Sequence, residues 1–386
     1  MHIRNRRVAL ASLTTVAVAA GLGISSIAAS GASASVNWAT VTSAQAGGGQ
    51  AALVAAAEKE GKLNVITLPS NWANYGTIMK DFTAEYHIKI TDAIPDGSSA
   101  QEIAAIKSDK GRSSAPDVVD IGQSFAALPA DQSLFAAYKV ANWSSIPASD
   151  KSSNGKWFGD YGGIVSFGCD ITALKALGGT ACPTSWSQLA SEPSKSVDLN
   201  GVPGQAGAAT GAVWAAAINE GGSFTNAAPG ITFFKNLNSK GVLGSADCDS
   251  GSVVAAGSCP ILINWDFLNS AGAWGLSGAS AKAWSVVDPT GKPFAESYYQ
   301  AISATAPDPA AARLWEEFLY STKGQNLFLQ GEARPAEQAA MVANKTINTG
   351  WFKKLPPVTG TVTYPSAAQA STAGTLIGTD WTNDGL

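Results

Sequence analysis

The sequence predicts an α/β protein of two lobes, each a mostly parallel sheet flanked by helices, joined by a two-strand hinge. In the first half of the chain, apolar strands alternate with amphipathic helices, which is typical of βαβ units and of parallel sheets covered on both faces. A glycine pair, Gly162 and Gly163, then opens an apolar strand, and glycines allow a sharp bend at a lobe boundary. We therefore expect this strand to leave one lobe and enter the other.

The first 34 residues have the composition of a secretory signal peptide. Three arginines fall among the first seven residues, a run of small apolar residues follows over 8–27, and Ala32-Ser33-Ala34 offers a cleavage site. A permanent membrane anchor is the alternative, but the run is poor in Leu and Ile. Arg6-Arg7 leaves Sec and twin-arginine export both open. Residues 35–50 are expected to form a flexible leader.

The charge balance excludes several classes of protein. Removing the signal peptide from the 386 residues leaves 352, enough for two domains, with 22 basic and 29 acidic residues and a formal net charge of −7. Such an acidic chain without a basic patch is a poor nucleic-acid binder. Charged residues make up only 14%, which suits a secreted protein with a polar surface. No later run reaches 18 apolar residues, so the mature chain is expected to be soluble.

The four cysteines all follow the signal peptide, and an even number in an exported chain indicates disulfides. Three connectivities are possible, and we favour the local pairs Cys169–Cys182 and Cys248–Cys259. Each would close a short loop, worth about 3 kcal/mol in the chain-entropy model. A zinc site is the alternative, but the sequence has no CxxC pair and only one histidine, His87, after the signal peptide.

Lobe I is predicted from residues 51–163 and 289–335. A helix over 51–60 precedes three strands, over 63–68, 88–94 and 117–121, with helices over 74–86 and 99–107 between them. In such sheets ligands bind beyond the carboxyl ends of the strands. The side chains that the topology gathers at that edge are Trp72, Asn74, Tyr75, Asp96, Ser98, Ser99 and Gln123.

Two of these residues have plainer interpretations. Ser99 with Glu102 fits the S-x-x-E capping box, which favours a helix cap over a ligand contact. Trp72 could roof the core, although a tryptophan flanked by asparagines in a βα loop is unusual there. In the crossing stretch over 156–170, Asp160 and Tyr161 are expected to face the cleft, while Trp157 and Phe158 pack beneath the loop.

Lobe II is predicted from residues 164–288 and 336–386, and it offers two candidate ligand regions. Gln205 and Ala206 lie in a glycine-rich turn before an apolar helix, whose N-terminal amides could meet an anion; close helix packing is equally compatible. Trp265 and Asp266 end a buried strand, and an aromatic beside a carboxylate suits a polar or cationic ligand. The alternative there is a helix cap at Asp266 with Trp265 in the core.

The residues available favour binding over catalysis. His87 alone leaves little material for a Ser-His-Asp triad, and no G-x-S-x-G elbow is present. Glycoside hydrolysis by a pair of carboxylates stays an alternative, since Asp96, Asp160 and Asp266 could share a cleft. We expect no enzyme, no cofactor and no metal site.

Four blocks carry a resemblance to a known family. The segment from Pro289, PTGKPFAESYYQAISATAPDPAAARLWEEFLYSTKGQNLFLQGEARP, is similar to the return strand and helix of ABC-transporter extracellular solute-binding proteins. EKEGKLNVITL, SSAPDVVDIGQ and SGSVVAAGSCPILINWD resemble other blocks of that family in the same order. The resemblance covers about residues 50 to 345 and is nearest to the iron, polyamine, thiamine and phosphonate binders.

The resemblance implies the periplasmic-binding-protein type II fold, in which two lobes close on a ligand, and delivery of that ligand to a membrane permease. By position, the ligand would be held by loops 70–75, 95–99 and 122–124 of lobe I and by 205–208 and 265–266 of lobe II. Tyr161 and Tyr298 would lie near the crossovers. No lipobox cysteine precedes Cys169, so retention at the cell surface is not explained.

The expected function is therefore that of a secreted, monomeric solute-binding protein of an ABC importer. An amine-bearing, polyamine-like ligand is favoured because carboxylates accompany aromatic residues in the predicted site. A phosphonate or phosphate ester, thiamine and ferric iron are alternatives; iron binders of the family use adjacent tyrosines, which Tyr298-Tyr299 superficially match. A secreted hydrolase on the same fold is a further alternative.

Overall fold

The computed structural model describes residues 36–245, 248–270, 272–355, 362 and 364–386, so the predicted signal peptide lies outside the described residues. The strands are β1 (Lys62–Ile66), β2 (Lys89–Ala93), β3 (Val118–Gly122), β4 (Phe158–Asp170), β5 (Val197–Leu199), β6 (Ile261–Trp265), β7 (Trp284–Val287), β8 (Ala295–Ile302) and β9 (Arg334–Pro335).

The helices of the first half are α1 (Gln50–Glu60), α2 (Tyr75–Tyr86), α3 (Ser99–Ser108), α4 (Gln123–Ala126), α5 (Ile171–Ala176), α6 (Trp186–Leu189) and α7 (Gly207–Asn219). Those of the second half are α8 (Ala228–Ser239), α9 (Gly251–Ala255), α10 (Asp266–Asn269), α11 (Gly278–Ala283), α12 (Pro309–Leu319), α13 (Thr322–Gln330), α14 (Gln338–Ala343), α15 (Thr349–Phe352) and α16 (Ala367–Asn383). Short 3-10 turns cover Gln45–Gly47, Pro129–Leu134, Trp143–Ser145 and Ala148–Asp150. None of the described helices is long and apolar enough to cross a membrane.

The alternation of strand and helix predicted for lobe I is present. β1 and β2 run parallel, with α2 between them in the chain. Helix α2 buries Tyr75, Ile78 and Phe82, which recur at helical spacing on one face, because this face packs on the sheet and on α12. The βα loops therefore open at one edge of the sheet, as the sequence predicts.

Strand β4 crosses from one lobe to the other. Its first half, from Phe158 to Ile164, pairs antiparallel with β8, and its second half, from Val165, pairs antiparallel with β6 and β7. At the crossing, a Cβ on Gly163 would lie 2.7 Å from the ring of Phe267, so only glycine fits there. Gly163 thus allows β4 to pack closely against Phe267 of α10 where the chain changes lobe.

The sheets contain more antiparallel pairing than the predicted "mostly parallel" arrangement. β1 with β2 and β5 with β6 are parallel, whereas β8 pairs antiparallel with both β3 and β4. The reason is the crossover: β8 returns against β4, and the βαβ pattern of the flanking segments does not reveal that direction. The α/β class itself is confirmed.

Lobe II is built around helix α7, which is buried over nearly its whole length. Its run of alanines and glycines permits close packing against α8, where a Cβ on Gly230 would lie 2.1 Å from the Val213 carbonyl oxygen. Both predicted disulfides are present, Cys169–Cys182 and Cys248–Cys259, and the described cysteines include no free thiol.

The two ends of the described chain are fixed to the body of the protein. In the segment predicted as a flexible leader, Trp38 is buried, and Arg313 of α12 donates to the carbonyl oxygens of Ala39 and Val41. At the other end, α16 packs on α4 of lobe I as well as on α7 and α8 of lobe II. The lobe boundaries remain a prediction, but this helix does not lie on lobe II alone.

Candidate ligand-binding cleft

A cavity lies between the lobes at the carboxyl edge of the lobe I strands. Lobe I contributes the loops after β1 and β2, the start of α3 and the middle of β3; its lining side chains include Trp72, Asp96, Ser98, Ser99, Glu102 and Asp120. Lobe II contributes Asn200, the start of α7 (Ala206, Gly207, Ala208) and Asp249, and Tyr298 of β8 forms part of the wall. Within the described residues, no Lys, Arg or His lines this cavity.

The lobes touch beside the cavity, so the cleft is closed. A Cβ on Gly122 at the end of β3 would lie 2.9 Å from the Cα of Gly207 at the start of α7. The Ala100 amide donates to the Gln205 carbonyl oxygen across the seam, at 3.2 Å. The cavity volume is about 40 Å³, room for roughly three water molecules or a ligand of few atoms.

Two buried carboxyl groups of lobe I line the cavity, Glu102 at 1% exposure and Asp120 at 4%. Glu102 Oε2 accepts from the Asp120 amide at 2.9 Å, but its Oε1 has no hydrogen-bond partner among the described residues, and neither has Asp120 Oδ1. Burial raises the pKa of Asp120 to about 7 and that of Glu102 well above its usual range. A buried carboxylate oxygen without a donor is costly, which favours a positively charged donor there.

A hydrogen-bond chain leads from Asp120 into lobe I. Asp120 Oδ2 accepts from the hydroxyls of Tyr75 at 2.9 Å and Tyr161 at 2.8 Å. Tyr75 Oη also lies 3.2 Å from Asp160 Oδ2, which accepts from Gln300 at 3.0 Å. Burial raises the pKa of Asp160 as well, and the nearby Asp120 charge adds to the effect. The chain fixes the orientation of the Asp120 carboxylate at the cavity wall.

Aromatic side chains form the hinge side of the cavity. The Trp72 indole donates to Tyr161 Oη at 2.8 Å and meets the Tyr298 ring edge-on, with centroids 5.7 Å apart. Tyr298 in turn stacks on Tyr161, with centroids 5.5 Å apart. Trp265 reaches Tyr298 from lobe II, its indole donating at 3.4 Å. These rings bridge the crossover and leave Trp72 and Tyr298 facing the cavity.

The two helices that begin at the cavity differ at their N-termini. Helix α3 is capped by Ser98, whose Oγ accepts from the Gln101 amide, while the Gln101 side-chain oxygen accepts from the Ser98 amide. Glu102 is an acidic residue in the first turn of this helix. Helix α7 begins after Ala206, has no side-chain cap and has no acidic residue in its first turn.

Of the predicted ligand residues, six line the cavity and four lie directly behind it. Those at the wall are Trp72, Asp96, Ser98, Ser99, Ala206 and Tyr298. Tyr75, Asp160, Tyr161 and Trp265 are fully buried and act on the cavity through the hydrogen bonds just described. Asp96 is exposed at the mouth, whereas Ser99 Oγ accepts from the Gly122 amide at 3.1 Å.

The remaining predicted ligand residues are engaged elsewhere. Asn74 donates to the Leu327 carbonyl oxygen at 2.9 Å, and Gln123 donates to that of Pro365 at 2.8 Å. The Gln205 backbone bridges the lobes. Asp266 accepts from the Ile164 amide and pairs with Arg334. Each of these four positions holds two segments of the chain together, and a ligand contact there stays a prediction.

The predicted helix caps also need revision. Ser98, not Ser99, is the N-cap of α3, and Gln101 completes the capping box in place of Glu102. Glu102 is thereby free to point inward to the Asp120 amide and the cavity. Sequence reasoning missed it because the S-x-x-E pattern explained it as a cap.

Asp120 and Asp249 were also missed. Asp120 is a charged residue within the otherwise apolar strand β3, flanked by Val119 and Ile121, and that break in the pattern was the available signal. Asp249 lines the lobe II side of the cavity from the segment closed by the Cys248–Cys259 disulfide. No sequence pattern around Asp249 could have predicted its place at the cavity.

The adjacent tyrosines do not form a pair at the cavity. Tyr298 lines it, but Tyr299 faces the other side of β8, where its hydroxyl donates to Asp150 at 3.4 Å. Successive strand residues point to opposite faces. Among the described residues, no group of three or more His, Cys, Asp or Glu side chains is arranged to hold a metal ion.

Comparisons with known proteins agree with this architecture. The family model described as bacterial extracellular solute-binding protein matches residues 69–326, and curated proteins gave no match. The periplasmic binding protein AfuA from Actinobacillus pleuropneumoniae, with fructose-6-phosphate bound, is 18% identical at a TM-score of 0.65, covering 84% of this chain and 98% of its own. A periplasmic thiamin binding protein (17%, TM-score 0.62, 84% and 96%) and a GABA receptor (16%, 0.58, 84% and 97%) are also similar. The predicted periplasmic-binding-protein type II fold is thereby confirmed.

Proposed function

Because the chain belongs to the family of bacterial extracellular solute-binding proteins, we propose that it captures a small amine-bearing solute between its lobes. The family implies a small-molecule ligand and an ABC permease as partner. Closure of the lobes would enclose the solute, and the closed protein would deliver it to the permease. Trp72, Asp96, Ser98, Ser99, Glu102, Asp120 and Tyr298 would form the lobe I and hinge side of the site.

The observation that carries this proposal is the pair of buried carboxylates in the cavity. Glu102 Oε1 and Asp120 Oδ1 both lack a protein donor among the described residues. An ammonium group brings a positive charge and three N–H donors, so it would satisfy both oxygens at once. The faces of Trp72 and Tyr298 nearby suit a cation as well. The absence of Lys and Arg from the described cavity wall leaves the carboxylates without an internal counter-charge.

A phosphonate or phosphate ester is the second candidate, and one specific observation favours it. The first turn of α7 is uncapped and faces the cavity, which is the arrangement that binds anions at helix N-termini. A dianion would, however, face Glu102 and Asp120 without any basic residue to offset them. Ferric iron has no comparable support, since the tyrosine pair is split between the two faces of β8.

Thermal-shift screening of the mature protein tests the proposal. We expect amines such as 1,4-diaminobutane or 4-aminobutyrate to raise the melting temperature, and phosphonates, thiamine and ferric citrate to have little effect. Stabilisation by phosphonates alone would select the second candidate. If no compound stabilises the protein while it hydrolyses a glycoside or ester, the transport function is wrong.

A further inference from the structure

We infer that the ligand is a zwitterion, with its ammonium group held by lobe I and its acidic group held by the first turn of α7 in lobe II. This inference rests on the proposed function and narrows its ligand class. The two charged ends of the cavity belong to different lobes, and each is incomplete without a ligand group of the opposite sign.

The cation end lies on lobe I. Glu102 is 1% exposed and Asp120 is 4% exposed; both residues line the cavity, and each has one buried carboxylate oxygen with no described donor. Both carboxylates are positioned by other bonds: Glu102 Oε2 accepts from the backbone of β3, and Asp120 Oδ2 accepts from two tyrosines. They form a rigid acceptor pair that is already in place before a ligand arrives.

The anion end is the N-terminus of α7. Gly207 and Ala208 line the cavity, and the amides of residues 207–209 donate to no acceptor among the described residues. The helix has 13 residues, so its dipole contributes a partial positive charge at this end. Its N-cap, Ala206, supplies no side-chain oxygen. Uncapped amides beside a cavity call for an acceptor, which a carboxylate or phosphonate oxygen provides.

Helix α3, unlike α7, offers no free N-terminal amides for an anion at the cavity. Its own N-terminus is satisfied by the Ser98–Gln101 capping box, and Glu102 stands in its first turn. Lobe I therefore offers two carboxyl groups, whereas lobe II offers uncapped backbone amides together with Asn200 and Asp249. A ligand with both charges would join the lobes when the cleft closes, whereas a diamine or a plain carboxylate would satisfy only one of them. The cavity of about 40 Å³ limits the spacer between the two groups to a few carbon atoms.

Calorimetric titration with three probes of equal length tests the inference: 4-aminobutyrate, 1,4-diaminobutane and butyrate. We expect 4-aminobutyrate to bind at least tenfold more tightly than either of the others. If 1,4-diaminobutane binds equally or more tightly, the zwitterion inference is wrong while the proposed function stands. Tighter binding of butyrate overturns both, and so does the absence of binding by any probe.

A variant with a negative charge in the first turn of α7 gives a more specific test of the anion end. Ala208→Asp puts a carboxylate at a helix N-terminus, where it stabilises the helix, and occupies the anion end. We expect this variant to lose 4-aminobutyrate binding while keeping or improving 1,4-diaminobutane binding. Glu102→Gln serves as the matched variant at the other end and should weaken both amines. Loss of both amines in a folded Ala208→Asp protein contradicts the assignment of the anion end.

An independent observation concerns helix α16, and here we propose that it acts as a strap that holds the lobes in the closed position. Gly374 and Gly378 lie one turn apart, so they share a helix face. A Cβ on Gly374 would lie 2.6 Å from Ser124 Cβ in lobe I, and a Cβ on Gly378 would lie 2.9 Å from Gly204 Cα in lobe II. One glycine face therefore packs on both lobes across their seam.

Each end of the strap is fixed to a different lobe. Near its start, Gln123 of α4 donates to the Pro365 carbonyl oxygen, and Ala367 packs in the lobe I cluster that includes Phe125. Near its end, Trp381 meets Phe234 of α8 edge-on, with centroids 5.6 Å apart, and Lys235 pairs with Asp384 at 3.0 Å. Opening of the cleft must break one of these two sets of contacts.

The strap adjoins the ligand cavity on both sides. Ser124 follows Gly122 by two residues, and Gly204 precedes Ala206 by two, and these neighbours form the seam beside the cavity. Contacts of α16 thus bear on the equilibrium between open and closed forms without touching the ligand. Release of the strap is expected to favour the open form.

Substitution of the two glycines tests the strap. Gly374→Leu and Gly378→Leu each insert a side chain where backbone or Cβ atoms now touch, while leucine raises helix propensity. In the ligand-free protein we expect faster exchange of the Ala100 amide, which bonds to Gln205 across the seam, and a larger radius of gyration by X-ray scattering. Thr372→Ala, on the exposed side of α16, should change neither quantity. Wild-type exchange and scattering in both leucine variants, with their melting confirming folded protein, would overturn the proposal.

Discussion

At the scale of single residues, Asp120 connects the cavity to the interior of lobe I. One of its carboxylate oxygens accepts from Tyr75 and Tyr161, and the other is buried without a described donor. Burial raises the pKa of this carboxyl group to about 7, so its charge changes in the neutral pH range. Ligand capture should therefore depend on pH through Asp120.

The affinity for an amine is expected to fall as the pH decreases. Below pH 7, Asp120 takes up a proton and loses the charge that attracts the ammonium group. We expect about tenfold weaker binding of 4-aminobutyrate at pH 6 than at pH 8, measured by calorimetry. Asp120→Asn should bind weakly at both values and show a smaller slope, since the raised pKa of Glu102 leaves a second titrating carboxyl group at the cavity. A flat profile for the wild-type protein contradicts this role of Asp120.

Glu296 is expected to make the ligand-free protein less stable as the pH rises. It lies buried under α7, and burial raises its pKa to about 8. Between its unfolded pKa, near 4.3, and pH 8, the folded protein binds a proton that the unfolded chain does not, so the free energy of unfolding decreases with pH across that window. Glu296→Gln should remove part of this decrease, on the order of 3 kcal/mol at pH 8.5 relative to pH 5.

Denaturant unfolding at pH 5 and pH 8.5 measures this difference. Asp384→Asn, at the partly exposed ion pair with Lys235, is a suitable control and should leave the pH dependence as in the wild type. A Glu296→Gln protein with the wild-type dependence would show that Glu296 does not hold its proton when folded.

At the scale of elements, the Cys248–Cys259 disulfide closes the segment that brings Asp249 to the cavity. The Cys248 carbonyl oxygen also accepts from Asn200, another lining residue, at 3.0 Å. Replacing both cysteines by serine should lower the free energy of unfolding by about 3 kcal/mol, since the unfolded chain gains the freedom of a short loop. Denaturant titration measures the loss, with the oxidised wild-type protein as the comparison, because reduction would also break Cys169–Cys182. An unchanged midpoint would mean that this loop is ordered without the bond.

The elements also show how far the sequence could be used to predict the structure. Strands and helices of lobe I follow from their periodicity, because α2 and β3 bury the residues that the pattern assigns to the core. The position of α16 could not be found in this way. Its packing across both lobes depends on small residues at 374 and 378 that meet distant partners, and such contacts leave no periodic signal.

The same distinction explains the outcome for the site. Loops at the carboxyl ends of strands could be predicted to converge, and Trp72, Asp96, Ser98 and Ser99 do line the cavity. The sequence could not show which polar side chains form hydrogen bonds within the protein, because their partners are far away in sequence. Asp266 pairs with Arg334 across the crossover, for example, while Glu102 is released toward the cavity by the Ser98 cap.

At the scale of the whole molecule, the two lobes contribute opposite chemistry to one closed cavity. Lobe I brings carboxylates, lobe II brings an uncapped helix N-terminus, and α16 spans the seam between them. We therefore expect capture by closure to depend on groups from both lobes. The arrangement suits a family whose members bind solutes outside the cell.

The carboxylate pair is tested most directly by calorimetry on the double variant Glu102→Gln, Asp120→Asn with 4-aminobutyrate at pH 8. Both substitutions keep the shape of the side chains and remove only the charges, so the fold should persist. We expect at least a hundredfold loss of affinity, with wild-type affinity in the Thr372→Ala control on the exposed side of α16. Equal affinity in the double variant and the wild type would contradict the claim that these carboxylates hold the solute.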